Sequence, residues 1–339
     1  MTLTQGFTQL LRVRKFQFVA LCIAVIALLP LLVSNNFVIS EVLTPMIIFA
    51  IYASSWNLLA SSGQGSLGHA AFLGIGGFAS ALIASKLGVP PIIGLFVGAV
   101  FSAAIGLLIG LACVRLKAWF LAMVTFGFSV IAATLIRQFD TVTQGITGFP
   151  TPLIVPRGVP FYYVTLILAV ISIFTIYWVM RSKVGLAFKV IHQNELEAKM
   201  IGVNTAKYKL MAFVISTFFA GLAGGLYAQS IRYIQVSVFD PYYSFLPLMM
   251  VVIGGIGTIE GPIIGSVIIV SIESYLGPGI DPILQGLIGG VSNVGPYLRF
   301  LGLGLFLIVI VILLPKGIAS LIPRVYNYFR TSPPESKKI

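Results

Sequence analysis

The run Val89–Val114, VPPIIGLFVGAVFSAAIGLLIGLACV, decides the fold: it holds no charged side chain and is apolar on every face. A bilayer-crossing helix needs about 20 such residues, so this stretch spans a membrane. Outward from it, comparable runs cover Phe16–Val33, Val42–Ala60, Ser66–Ser85, Ala118–Ile136, Pro160–Met180, Leu210–Gln229, Ser244–Gly257, Pro262–Leu276 and Pro296–Leu314. The expected fold class is all-α: a polytopic membrane protein with about ten transmembrane segments. Ser244–Gly257 and Pro262–Leu276 are short, and read equally as a crossing pair or a re-entrant one.

Composition agrees. Of 339 residues 58% are hydrophobic and 9% charged, against about 25% charged in ordinary soluble domains. The mean hydropathy of +1.04 excludes a soluble enzyme or a nucleic-acid binder, and the lipid bilayer is the expected surrounding. The net charge of +12 then reads as the bias of cytoplasmic loops towards Lys and Arg. With the N-terminus inside, only Lys86, Arg137, Arg157, Arg232 and Arg299 of the 21 basic residues fall outside, so both termini are expected to be cytoplasmic. Arg12, Arg14 and Lys15 before Phe16–Val33 resemble the start of a signal peptide, but without a clear cleavage site the segment reads as a retained first helix. Residues 1–339 form one membrane domain, with a loop at 181–209 and a tail at 315–339, both cytoplasmic.

The chemical inventory is sparse. The two histidines, His69 and His192, fall in different regions, and no zinc-protease, serine-hydrolase or phosphate-binding-loop motif occurs. Cys22 and Cys113 lie in apolar runs without ligand spacing. No catalytic residue, cofactor or metal is expected. Of the nine acids only Glu273 lies in an apolar segment, where a charge costs roughly 3 kcal/mol or more; it either serves the site or snorkels outward. Two glycine clusters, Gly63–Gly68 and Gly254–Gly261, interrupt apolar stretches, and broken segments at membrane depth line cavities. The competing explanation is close helix packing, which Gly74–Gly77, Gly106–Gly110 and Gly221–Gly225 also suggest. His69 reads as a helix–helix hydrogen-bonding residue. In the 181–209 loop, a single amphipathic helix is expected over Leu186–Ile201, stopped by Gly202, to lie on the membrane or dock into a partner.

The stretches Gly63-Gln64-Gly65-Ser66-Leu67-Gly68-His69-Ala70-Ala71-Phe72, Arg181–Gly185 leading to Asn194-Glu195 and Gly202-Val203, Lys209–Phe213 through Ala220–Gly224, and Gly254–Gly257 with Gly261-Pro262 follow in order over nearly the whole chain. Together they resemble the LivM-type permease of bacterial branched-chain amino-acid ABC importers. The resemblance implies a multi-pass permease subunit of the inner membrane that forms half of a translocation pathway and is no enzyme itself. It also implies a second homologous permease, two ATP-binding subunits and a periplasmic amino-acid-binding protein. The cytoplasmic segment with Gln193, Asn194, Glu195, Glu197, Ala198 and Gly202 would be the contact that couples to the ATPases. Leu186, Lys189 and His192 replace arginines common in the family, and Ala118 replaces a common glycine. Ser54, Ser55, Asn57, Gln64, Ser66 and His69 on the first broken pair, Thr258 and Glu260 on the second, and Glu273 are expected along the path. Two alternatives stay open: the same importer class selecting urea, amides or aromatic acids, and an ion-coupled secondary transporter, for which Glu273 would be the residue to test. A nontransporting scaffold would not need the structured loop.

Overall fold

The computed structural model describes residues 24–33, 35–276, 302, 304–305, 307–309, 312–314 and 317–320. Parts of the first and last expected spans, the 277–295 loop and most of the tail lie outside the described residues. Residues 24–32 are helical, and the chain then forms α1 (Asn36–Ala60), α2 (His69–Lys86), α3 (Pro91–Cys113), α4 (Ala118–Gln138) and α5 (Val159–Arg181). Two short helices follow, α6 (Lys183–Gln193) and α7 (Glu195–Met200), then α8 (Thr205–Ile231), α9 (Pro241–Gly254) and α10 (Glu260–Ser271), which ends in a π turn over Ile272–Leu276.

Five of these, α1, α3, α4, α5 and α8, are long and apolar enough to cross a membrane. The 18 residues of α2 reach about 27 Å, close to the bilayer core, whereas the 14 of α9 reach only about 21 Å. Among the described residues there are thus five plain candidates for spans, where the sequence suggested about ten segments over the whole chain. Within α1 a π turn over Ile39–Leu43 inserts an extra residue, and the Ile39 carbonyl accepts from both the Thr44 amide and, at 2.7 Å, Thr44 Oγ1.

The 181–209 loop corrects one expectation. The helix anticipated over Leu186–Ile201 is two helices, because Asn194 is extended (φ −156°, ψ 110°) and caps α7: its side-chain oxygen accepts from the amides of Leu196 at 3.0 Å and Glu197 at 3.4 Å. Gly202 does follow the end of α7, at φ +84°, a conformation that favours glycine.

The centre of the bundle is α8, packed on α2, α3 and α1. Two-thirds of its apolar window, 67%, is buried, against 28% for α4, so α4 turns most of its apolar surface outward. Glycine permits the contact. A Cβ on Gly76 of α2 would overlap the Gly221 backbone of α8, one on Gly98 of α3 would meet the Ser80 amide of α2 at 2.8 Å, and one on Gly224 would overlap the Leu73 carbonyl. Ser102 of α3 ties the three helices, donating towards the Phe72 carbonyl at 3.0 Å and the Thr217 carbonyl at 2.9 Å.

The loops gather at two ends. At one, β1 (Phe149–Pro150) pairs antiparallel with β2 (Tyr233–Ile234), Lys86 Nζ donates to the Val142 carbonyl at 3.0 Å, and Arg157 pairs with Glu41. At the other lie the 61–68 loop, α6, α7 and the loop from 255 to 259. Replacing Gly221 with Val drives a side chain into Ser102 and Ala99 of α3, forces the α3–α8 seam apart and is expected to cost about 3 kcal/mol, read as thermal unfolding of the detergent-solubilised protein. Gly127→Ala, on α4 with open space around it, is expected to be neutral or stabilising by up to about 1 kcal/mol.

Candidate functional site

The second end brings together most of the residues singled out in the sequence. Asn57, near the end of α1, is buried and grips the 255–259 loop: Nδ2 donates to the Thr258 carbonyl at 2.6 Å and Oδ1 accepts from the Gly257 amide at 2.8 Å. Thr258 shapes the same loop, since Oγ1 donates to the Gly255 carbonyl at 2.8 Å and accepts from the Gly261 amide at 3.0 Å. Glu260 opens α10 and is exposed. The first glycine loop is held similarly. Gln64 Nε2 donates to Ser62 Oγ at 3.0 Å and to the Lys209 carbonyl of α8 at 2.9 Å. Trp56 Nε1 donates to the Ser66 carbonyl at 2.8 Å, and Ser66 Oγ accepts from the Gly68 amide at 3.3 Å.

Behind these loops a polar line enters the apolar core. Ser55 Oγ donates to the Tyr52 carbonyl at 2.7 Å, so it receives the proton of His69 Nε2 at 3.0 Å, a bond that joins α1 to α2. Nδ1 of His69 is then a buried acceptor without a hydrogen-bond partner among the described residues, as is the Ser54 hydroxyl. Tyr52 stacks on His69 at 5.2 Å, and Ser216 of α8 donates to the Ser55 carbonyl at 2.7 Å. Glu273 lies apart from this group: the adjacent Ser274 faces Glu41 at the opposite end of the bundle.

α6 and α7 lie across the mouth. Ser182 caps α6 by accepting from the Val184 amide at 3.1 Å, and Gly185, Ala187, Phe188 and Ile191 are buried beneath it. The Cα of His192 would sit 3.4 Å from a Cβ on Gly63, itself at φ +77°, so α6 rests on the first loop. Lys189, His192 and Gln193 line a cavity of about 240 Å³ with Ala60, Ser61, Ile256 and Gly257. The α6–α7 unit therefore rests on the first glycine loop and shares a cavity with the second. On α7, Ala198 is fully buried and Asn194 Nδ2 donates to Glu197 Oε1 at 2.7 Å, while Leu186, Leu196, Met200 and Ile201 expose apolar side chains.

Glu195 holds α7 to α8. It pairs with Lys209 and, at 3.0 Å, with Lys199, and Thr205 Oγ1 donates to it at 3.3 Å. Lys209 was not among the residues expected at the site; in sequence it is one more lysine of the loop. Partial burial raises the Glu195 carboxyl, but the hydrogen bonds and charges of Lys209 and Lys199 outweigh it and hold the group below its ordinary 4.5.

Apolar helices of membrane length around a small polar mouth make this a multi-pass integral membrane protein. Residues 38–309 match the family described as branched-chain amino acid transport system / permease component, and the chain belongs to that family, of transport subunits rather than enzymes. It is 28% identical over 288 residues to the high-affinity branched-chain amino acid transport system permease protein LivM of Escherichia coli (strain K12), covering 76% of this chain and 67% of that one. The Salmonella typhimurium LivM gives the same figures, 28% over 76% of this chain and 67% of its own. The probable LivM of Methanocaldococcus jannaschii is 22% identical over 79% of this chain and 81% of its own. No solved structure gives a significant match.

Asn57→Leu keeps the volume but strands the Gly257 amide and Thr258 carbonyl, and is expected to cost about 2 kcal/mol and to speed hydrogen exchange at residues 255–261. Because the folded Glu195 carboxyl titrates below its unfolded value, the pair's contribution is complete above that unfolded value and is lost as pH falls through the lower, folded one. Thermal unfolding followed from about pH 7 to about pH 3 is expected to show this acid limb, and Glu195→Gln to destabilise at neutral pH and flatten it.

Proposed function

We propose that this chain is the membrane-spanning permease subunit of an ATP-driven, binding-protein-dependent importer of branched-chain amino acids, resident in the bacterial cytoplasmic (inner) membrane. It supplies half of the translocation pathway; a second homologous permease supplies the other half, two ATP-binding subunits supply the energy and a periplasmic binding protein delivers leucine, isoleucine or valine. One domain covers residues 1–339, with about ten transmembrane segments, both termini in the cytoplasm, the 181–209 loop as coupling segment and the 315–339 tail on the same side.

The observation that carries this reading is the seat of α6–α7, which rests on the first glycine loop and shares a cavity with the second while turning Leu186, Leu196, Met200 and Ile201 outward. A partner that grips this surface presses on the first loop and reshapes the cavity it shares with the second. Gln193, Asn194, Glu195, Glu197, Ala198 and Gly202 form or support the contact. Ser54, Ser55, Asn57, Gln64, Ser66, His69, Thr258 and Glu260 border the path at its cytoplasmic mouth, with Glu273 towards the far side. The gathering of the 61–68, 181–209 and 255–259 loops at one end, and of the loops near Lys86, Val142, Phe149 and Tyr233 at the other, supports the alternation of sides that both cytoplasmic termini require. Both glycine loops then face the side where nucleotide is hydrolysed.

The test is co-purification of this chain with its neighbouring ATPases and second permease, then ATP hydrolysis in proteoliposomes with the binding protein. Leucine, isoleucine or valine is expected to stimulate hydrolysis, and Glu195→Gln/Glu197→Gln to lower uptake about ten-fold while membrane insertion is retained. Stimulation by urea, amides or aromatic acids alone would replace the cargo, and failure to assemble with any ATPase would replace the class.

A further inference from the structure

Lys209 stands in the second turn of α8 with its side chain only 7% exposed. Its ammonium pairs with Glu195 of α7, while its main-chain carbonyl accepts from Gln64 of the first glycine loop at 2.9 Å. Gln64 continues the chain to Ser62 at 3.0 Å, and Ser62 Oγ donates to the Leu59 carbonyl at the end of α1 at 2.7 Å. One residue of the central helix thus holds α7 with its side chain and the loop with its backbone. Separating a buried ammonium from its carboxylate leaves an uncompensated charge, so α7 cannot be displaced without drawing the start of α8 with it. From there the link runs through a neutral hydrogen bond into the loop that rests against His192.

We propose that Lys209 is the positioning residue that converts movement of α6–α7 into movement of the 61–68 loop and the first turns of α8. This rests on the reading of α6–α7 as the ATPase contact. A buried pair serving only stability would fix the amount of folded protein; a transmitting pair also fixes how much transport each nucleotide yields.

The distinction is measured in the complete complex, reconstituted with both ATPases, the second permease and the binding protein, by following radiolabelled leucine uptake and ATP hydrolysis together. Lys209→Met is expected to lower leucine moved per ATP about ten-fold, with assembled complex within about two-fold of wild type, and Lys209→Arg to keep about half of the wild-type ratio. Gln64→Leu cuts the loop from α8 without stranding a charge, and is expected to lower the same ratio at least about three-fold. An unchanged ratio in either Lys209→Met or Gln64→Leu overturns the proposal. So does uptake that falls only in parallel with hydrolysis and with the amount of complex. If Lys209→Met fails to assemble, Gln64→Leu decides alone. A wild-type chain that assembles with no ATPase overturns the functional reading and this proposal together, and that failure shows before any variant is made.

Discussion

Direct contact between helix backbones is the constraint on which the rest of the bundle depends. Lipid tails are as apolar as leucine, so helices in a bilayer gain little from burying apolar surface and must find close packing instead. Gly76, Gly98, Gly221 and Gly224 supply it by letting α2, α3 and α8 meet without intervening side chains, and Ser102 bonds into the carbonyls on both sides. With that seam closed, α8 has little freedom along its middle. The parts left able to respond to a partner are its first turns and the loops that lean on them.

The same economy shapes the mouth. Irregular backbone at membrane depth needs hydrogen bonds from the protein itself, and here a few side chains provide them for two loops. Asn57 serves the second loop through both ends of its amide, and Gln64 with Trp56 serves the first. The loops are thus held by a few polar bonds each. Walls made of such loops can bind a polar cargo without trapping it, which an acid-rich pore would do less readily.

Much of the fold was legible because lipid demands length and hydropathy, which a sequence displays directly: the uncharged run at 89–114 became a helix over Pro91–Cys113. The glycine clusters were legible as interruptions, and Gly76 and Gly221 as packing residues, because only a missing side chain lets backbones touch. The break at Asn194 was written in the sequence as a cap residue three before Glu197, but the apolar periodicity on both sides masked it. What stayed hidden was pairing. Nothing local distinguishes Lys209 from the exposed Lys199 or Lys207; its burial and its partners come from elements far off in the chain. The polar residues of the mouth could be named as a set, but not matched to the groups they hold.

The Asn57 clamp has a consequence for how the molecule is made. It joins positions 201 residues apart, and the Gln64 bond joins positions 145 apart. Such long closures come late and slowly in any folding order. In a chain synthesised from its N-terminus, α1 enters the bilayer with its amide still open, and water or a neighbouring helix serves that group until residues 255–261 emerge. The second loop of the polar mouth is therefore docked only after residues 255–261 have been made. An assembly intermediate stalled before that point has helices up to α8, with the Asn57 amide still without the second glycine loop.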